Sequence, residues 1–393
     1  MYPNLYYLFR DWFGTEKLNG LRFIHTFGFF VALSFIAAAV VLTRELKRKG
    51  KQGLLQYEEQ KITVGSPASM GELLLNFFLG FLMGFKLVGA FISSEAASDD
   101  PQGFIFSLSG SWVAGLAVGL LFAGLKWNEK NKQKLAKPEE RIVRIWPHDR
   151  VGDMVIFAAI FGFAGAKIFD NLENWDRFIK DPIGNLFSAS GLTFYGGLIC
   201  AALAIWWYAK KHHIAFWQLN DAAAPGLMLA YGLGRIGCQV AGDGDWGIVN
   251  LKPKPFNWLP NWLWAYNYPH NVNKEGIPIP NCNWGEYCFM LKDPVFPTPI
   301  YEIVTCLLLF ALLWSVRKRM KVPGTLFGLY LLVNGIERFF IEKIRVNTRY
   351  EHLPFQPTQA ELISFLLVLA GLFLLIYLPK RANKIAASTG TPG

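Results

Sequence analysis

The sequence predicts an all-α polytopic membrane protein of about nine transmembrane helices, its amino terminus outside and its carboxyl terminus in the cytoplasm. Three observations carry that expectation. Only 17% of the 393 residues are charged, against about 25% in a soluble domain. Nine runs are apolar or nearly so over the roughly 20 residues a helix needs to cross a bilayer core: about 21–43, 73–93, 104–125, 152–172, 190–209, 221–241, 299–316, 323–343 and 360–378. Basic residues also crowd after alternate runs, in RELKRKGK (44–51), from Lys126 to Arg150, and in KKHH (210–213), RKRMK (317–321) and KRANK (380–384). The connection SSEAASDDPQ (93–102) has three acids and no Lys or Arg. The positive-inside rule converts this asymmetry into an orientation, and nine crossings satisfy its parity. The net charge of +10 therefore reads as membrane topology rather than nucleic-acid binding.

The elements follow in chain order. Residues 1–20 open with MYPNLYYLFRDWF, an aromatic segment suited to the outer interface, where one edge of a Tyr or Trp ring stays wet. The first apolar run is long enough to span and lacks a convincing small-residue cleavage site, so it reads as a retained helix. Residues 21–380 form a single transmembrane domain, interrupted by a long outer loop at 242–298. The chain ends in a cytoplasmic tail, 381–393, whose AASTGTPG suggests disorder.

Within the domain, 71–116 and 152–197 resemble each other at a constant offset of 81. Gly71-Glu72 pairs with Gly152-Asp153, Gly84-x-Lys86 with Gly165-x-Lys167, and Phe106-Ser107-x-Ser109-Gly110 with Phe187-Ser188-x-Ser190-Gly191. Small residues recur in membrane helices for packing reasons alone, but a repeated lysine and FSxSG at one offset point to tandem duplication of a two-helix unit, with 71–126 as the first copy. Tyr195 of the second copy is Ala114 in the first. If Tyr195 has a function, the first copy is a structural remnant.

A charge near the bilayer centre costs about 2.5–3.5 kcal/mol on insertion scales, so each is a candidate for function. Arg235 falls late in the sixth run, with Asp243 and Asp245 just beyond. The eighth, LYLLVNGIERFFIEKIRVN, carries Asn334, Glu337, Arg338 and Glu342. Asn334, Arg338 and Glu342 share one helical face. Arg338 and Glu342 could be an intrahelical ion pair that makes both tolerable, yet two buried arginines on different helices would also clamp an anionic lipid headgroup, since the guanidinium fork suits phosphate. Lys86 and Lys167 could snorkel to an interface. Tyr195 begins YGG, where Gly196 and Gly197 permit close approach. Tyr301 and Glu302 open the seventh run, and Asp221 opens the sixth as a candidate cap.

Residues 232–237, GLGRIG, match the dinucleotide pattern G-x-G-x-x-G. That fingerprint needs a preceding strand and a following helix, whereas this stretch follows the apolar run APGLMLAY and leads into the outer loop. Glycines here point to a protein-lined cavity opening outward. The six histidines have no ligand spacing, and neither a metal nor a cofactor is expected. Of five cysteines, Cys200 and Cys306 lie in apolar runs, Cys238 beside Arg235, and Cys282 and Cys288 in the outer loop, where an oxidising compartment would let them bridge.

These residues resemble the bacterial prolipoprotein diacylglyceryl transferases, in order through the first run and from about 152 to 380. The family signature is similar to G-R-x-G-N-F-x-N-G-E-x-x-G after an Asp and a Pro. Here DAAAP precedes GRIGCQVAGDGDWG, so Asp221, Arg235 and Gly247 match, the family Asn falls on Cys238 or Gln239, and its Glu on Asp243 or Asp245. The family's GGxSFHGGL looks like residues 190–198, with its catalytic histidine replaced by Tyr195. PSQLYE resembles PTPIYE (297–302), carrying over Tyr301 and Glu302. Y-G-x-x-R-x-x-x-E resembles Asn334-Gly335-Ile-Glu-Arg338-Phe-Phe-Ile-Glu342, and H-W-Y-G resembles His25-Thr-Phe27-Gly28.

The resemblance implies transfer of the diacylglyceryl group of phosphatidylglycerol to the lipobox cysteine thiol of prolipoproteins in the bacterial cytoplasmic (inner) membrane, leaving a thioether and releasing glycerol phosphate. It implies catalytic roles for Tyr195, Arg235, Arg338 and Glu342. Substrate contacts would come from Arg235, Gly196, Gly197, Cys238, Gln239, Asp243, Gly247, Tyr301, Glu302, Asn334, His25 and Asp221. The alternatives are a non-catalytic lipid-binding paralogue and a transporter, although a two-helix repeat runs parallel and does not give the inverted scheme common in transporters.

Overall fold

Local capping chemistry sets where several helices begin. In the computed structural model, which describes residues 1–92, 104, 107–187, 191, 193–347, 349–350 and 355–389, Asn4 accepts a hydrogen bond from the Tyr7 N–H and starts α1 (Leu5–Phe13). Ser69 and Glu72 form a reciprocal capping box at the head of α3 (Met70–Met83), after α2 (Thr26–Lys51). Ser111 caps α4 (Trp112–Lys132). Then come α5 (Val151–Glu173), the short α6 (Trp175–Lys180) and α7 (Pro182–Phe187), α8 (Phe194–Lys211) and α9 (Phe216–Ala241). The long loop 242–298 holds α10 (Asn261–Trp264), followed by α11 (Thr298–Val316), α12 (Thr325–Glu342) and α13 (Gln359–Thr389).

The fold is mostly helical, and each of the nine apolar runs falls on a helix. Among the described residues, five helical stretches are long and apolar enough to cross a membrane: Thr26–Lys51, Met70–Ile92, Pro147–Glu173, Thr298–Val316 and Gln359–Lys384. This is a polytopic membrane protein. Helix α12 falls outside that group with Glu337, Arg338 and Glu342 in its short length, and α9 with Asp221, Arg235 and several Gly, Asn and Gln residues. The connection 93–102, Phe106, Ser188, Ser190 and the terminal 390–393 lie outside the described residues. The ordered helix α13 covers most of the stretch expected as a tail.

Two small antiparallel sheets depart from a purely helical expectation. β1 (Glu58–Val64) pairs with β2 (Glu139–Ile145), setting Glu58 opposite Ile145 and Val64 opposite Glu139. This ribbon brackets α3 and α4. In the outer loop β3 (Ile277–Pro278) pairs with β4 (Phe289–Met290), and Cys282 and Cys288 are joined by a disulfide. EEQKITV and EERIVRI follow basic segments and are too polar to stand out from a cytoplasmic loop in a chain dominated by apolar runs.

Packing assigns the helices to neighbourhoods. Leu46, Val151, Met154, Tyr208, Leu219 and Ala222 bury one another where α2, α5, α8 and α9 meet. Ala224, Met228, Cys306, Leu313 and Leu326 join α9, α11 and α12. Helix α1 docks on the outer loop, with Tyr7 stacked on Trp284 at 4.7 Å and Arg10 over both rings. The aromatic opening segment thus packs against that loop.

Candidate functional site

The last turns of α9, the first turn of α11 and the end of α12 converge beneath the start of the outer loop. Gly247 makes the convergence possible. Its backbone bridges to Arg345, and its N–H donates to the Phe296 carbonyl at 2.8 Å. A Cβ there would lie 2.5 Å from the Ile344 carbonyl oxygen, so a side chain would push the loop away from the residues that follow α12.

At the centre is Glu302, whose side chain is fully buried. Its Oε2 pairs with Arg235 Nε at 2.8 Å. Its Oε1 receives Arg338 Nη1 at 3.1 Å, Tyr231 Oη at 3.2 Å and Arg345 Nη1 at 3.4 Å. Arg338 also pairs with the buried Glu342 at 3.2 Å, one turn along α12, and Glu342 accepts from Asn347 Nδ2 at 2.5 Å. Asp245 closes the cage by pairing with both Arg235 and Arg345. Three guanidiniums thus face three carboxylates. Removing one member would strand the charge it pairs with, at a cost of about 3–5 kcal/mol for a buried pair.

Asp243 has a different environment two residues away. Its Oδ1 accepts the Asp245 N–H at 3.3 Å, and burial, with the charge of Asp245 adding to it, raises its pKa above the ordinary aspartate value. Burial also works to raise the pKa of Asp245, but the Arg235 and Arg345 guanidiniums outweigh it and hold that carboxyl below its ordinary value. One carboxylate is a better proton acceptor than usual, and its neighbour is a committed ion-pair partner. Cys238, Asp243 and Asp245 bring ligand atoms within 4.8 Å of one another. The guanidinium of Arg235, 3.7 Å from Cys238 Sγ, already sits among them as a cation.

The structure brings Arg235, Arg338, Glu342, Glu302, Asp243, Cys238 and Gly247 to one place. Tyr195, at the start of α8, lies in the field of Arg338 and Glu342. Asn334 is half-buried one turn before Arg338. Other residues grouped with these in the sequence have separate surroundings. Gln239 accepts from Tyr268 Oη at 2.8 Å, and Tyr301 Oη donates to the Leu263 carbonyl at 2.8 Å. Gly196 and Gly197 face α5, where a Cβ would meet Phe169 and the Gly162 carbonyl. His25 is exposed ahead of α2 and bridges to Asn4. Asp221 lies at the far end of α9 and accepts the N–H groups of Gly324 and Phe327 at 2.8 and 2.9 Å, capping α12 rather than its own helix. Lys86 and Lys167 donate to backbone carbonyls of the segments that follow them, so their ammonium groups are held by the protein.

Sequence reasoning missed Arg345 and Tyr231. Arg345 continues the stripe of residues 334, 338 and 342 by three positions, but it lies past the end of α12, where helical periodicity no longer argues for a shared face. Tyr231 stands one turn before Arg235 on α9, and its ring lies 5.3 Å under the Arg235 guanidinium. That i, i+4 spacing was a signal available from the chain alone.

A family model described as prolipoprotein diacylglyceryl transferase matches residues 110–377. Relatives bearing the name phosphatidylglycerol–prolipoprotein diacylglyceryl transferase include one from Pseudomonas aeruginosa, 29% identical over 241 residues, covering 60% of this chain and 79% of its own. Another, from Leptospira interrogans, is 25% identical over 309 residues, covering 66% and 86%. A third, from Dehalococcoides mccartyi, is 27% identical over 286 residues, covering 71% and 93%.

Proposed function

We infer the reaction from membership: the chain belongs to the prolipoprotein diacylglyceryl transferase family, and it transfers the diacylglyceryl group of phosphatidylglycerol to prolipoproteins. The acceptor is the lipobox cysteine thiol. Sulfur attacks the glycerol carbon, the carbon–oxygen bond to phosphate breaks, and glycerol phosphate leaves. The site must hold a phosphate, stabilise charge growing on its oxygens and accept the thiol proton.

Arg235 and Arg338, with Arg345 beside them, hold the phosphate, and their guanidiniums stabilise the leaving oxygens. Electrostatic stabilisation of this kind is commonly worth about 10²–10³ in rate per donor. Glu302 fixes the angle between the two arginines by binding both, and Glu342 orients Arg338. Tyr195 donates a hydrogen bond to phosphate or substrate from the neighbouring helix. Asp243 takes the thiol proton, a role its raised pKa favours. Gly247 and Cys238 shape the mouth, while Gln239, Tyr301, Asn334, Gly196, Gly197, His25 and Asp221 support the walls and the helices that carry them.

The same reading extends to topology. Nine helices span the bacterial cytoplasmic membrane, with the amino terminus and the loop 242–298 outside and the carboxyl terminus inside, so that the arginines meet outer-leaflet lipid. The pairs α3–α4 and α5–α8 descend from one duplicated unit. In both, the repeat lysine donates to carbonyls of the segment after its helix: Lys86 to Phe104, Ser107 and Ser109, and Lys167 to Gly191.

The observation that carries the mechanism is the convergence of three arginines and a tyrosine on the buried Glu302. Incubating purified protein with phosphatidylglycerol and a cysteine-bearing lipobox peptide tests it. The peptide gains the mass of a diacylglyceryl group and glycerol phosphate appears. No mass gain with the native lipid would refute the assignment.

A further inference from the structure

We propose that Asp245 is a displaceable stand-in for the lipid phosphate, occupying Arg235 and Arg345 until the headgroup takes them over. The proposal rests on the reading of the arginine cage as a headgroup site.

Charge counting makes some displacement necessary. Arg235, Arg338 and Arg345 are matched one for one by Asp245, Glu302 and Glu342, so no guanidinium is left over to attract an anion. A phosphate that enters must take guanidinium donors from a carboxylate. Glu302 and Glu342 are unsuited to yield, because both side chains are fully buried on helices and have nowhere to go. The side chain of Asp245 is about a third exposed, and it belongs to the loop rather than to a helix. It is also the carboxylate that bridges two guanidiniums from different segments, a geometry that a tetrahedral phosphate reproduces with two of its oxygens.

The exchange needs only a side-chain rotation. The Asp245 backbone is held on both sides, its carbonyl by Thr298 Oγ1 at 2.7 Å and its N–H by Asp243 Oδ1 at 3.3 Å. The loop therefore stays in place while χ1 changes. A partly exposed carboxylate on an anchored backbone keeps the arginines poised in the absence of lipid, where Arg235 and Arg345 would otherwise share Glu302 alone.

Titrating the full-length, detergent-solubilised protein with glycerol phosphate by calorimetry tests the idea, using wild type, Asp245→Asn and Asp243→Asn. Asp245→Asn removes the competitor and binds glycerol phosphate about tenfold more tightly, the effect of one charge-assisted hydrogen-bond competitor lost. Its KM for phosphatidylglycerol falls as well. Asp243→Asn, which removes the same charge without freeing a guanidinium, shifts binding by less than about twofold. Should Asp245→Asn melt at low temperature, Asp245→Ser keeps the Thr298 contact to the backbone and gives the same direction. Weaker binding by Asp245→Asn, or equal tightening by both variants, would overturn the stand-in role and leave the headgroup reading intact. No binding of glycerol phosphate by any of the three proteins would instead overturn the headgroup reading, and the stand-in role with it.

Discussion

The two helix pairs α3–α4 and α5–α8 share a scaffold and differ in what surrounds it. Both are closed by glycines at the crossing. A Cβ on Gly84 would lie 2.4 Å from the Ala114 carbonyl oxygen, and one on Gly165 would lie 2.4 Å from Cys200 Cβ. The partners are not equivalent, however. Gly165 faces Gly196 and Cys200, which correspond to Gly115 and Gly119, whereas Gly84 faces Ala114 and Val118. The first pair contains a π turn at Gly84–Val88, while α5 runs unbroken through Lys167. A π turn inserts one extra residue into a helix, and that matches the one-residue slip in partners. The second pair is built onto the core of α2, α5, α8 and α9 through Val151, Met154 and Tyr208 and places Tyr195 near Arg338. The first is joined to the body at its two ends, by the β1–β2 ribbon and by Phe91 against Phe23. Glycines and a lysine therefore recur in both hairpins, and only the second lies next to the arginine cage.

The largest effect separates the cage from the hairpins. Arg235→Ala should lower transferase activity by about 10²–10³, measured as peptide mass gain per unit time, because it removes a phosphate donor and strands Glu302 and Asp245. Lys86→Met, in the first pair, should lower the melting temperature and keep activity within about twofold of wild type. A loss of activity in Lys86→Met comparable to that of Arg235→Ala, in a protein that still folds, would end the separation.

Tyr195 and Ala114 sharpen the contrast by a smaller amount. Loss of one hydrogen bond to a charged partner is worth about 1.5–3 kcal/mol, so Tyr195→Phe should be slower by about 10- to 100-fold. Ala114→Tyr should be close to neutral in rate. Full activity in Tyr195→Phe would show that the second copy, like the first, serves only as scaffold.

What could be read from the chain beforehand follows the same division. Each apolar run became a helix because length and hydropathy act locally, and Arg235, Arg338, Glu342 and Glu302 stood out because a charge within such a run is costly. The two ribbons were not legible for different reasons: β1 and β2 are polar and paired across many intervening residues, and β3 and β4 are only two residues each. Arg345 was invisible for a related reason: it reaches the site through the bridge between Gly247 and Arg345, a long-range contact that helical periodicity does not encode. Asp221 shows the converse. Its position at a helix start suggested capping, but only the packing of α9 against α12 reveals which helix it caps.

Asp243 offers a test by pH. Its pKa is raised by burial and by Asp245, so as pH falls through that raised value the carboxylate is protonated and stops accepting the thiol proton. Wild-type activity should therefore decline on the acid side at a pH above the ordinary aspartate range. Asp243→Asn should lose that acid limb and retain a low, flat rate. An unchanged acid limb in Asp243→Asn would move the proton acceptor to another group, Glu302 first.

The smallest expected effect comes from removing the first pair altogether. β1 and β2 are antiparallel, and Val64 stands directly opposite Glu139, so an Asn-Gly turn can join them as a two-residue hairpin. Excising 65–138 and inserting Asn-Gly deletes α3 and α4 while leaving both strands in register. The apolar contact of Phe91 with Phe23 is lost, but the amino-terminal segment keeps its hold on the outer loop through Tyr7 and Trp284. The polar contacts within the first pair, such as Lys130 with Glu72, leave with it and strand no partner in the cage. The trimmed protein should fold in detergent and transfer lipid within about threefold of wild type, a change in barrier under about 1 kcal/mol. A folded deletion that loses activity more than about tenfold would mean that the first copy forms part of the route to Arg235, and the two pairs would then be partners in one function.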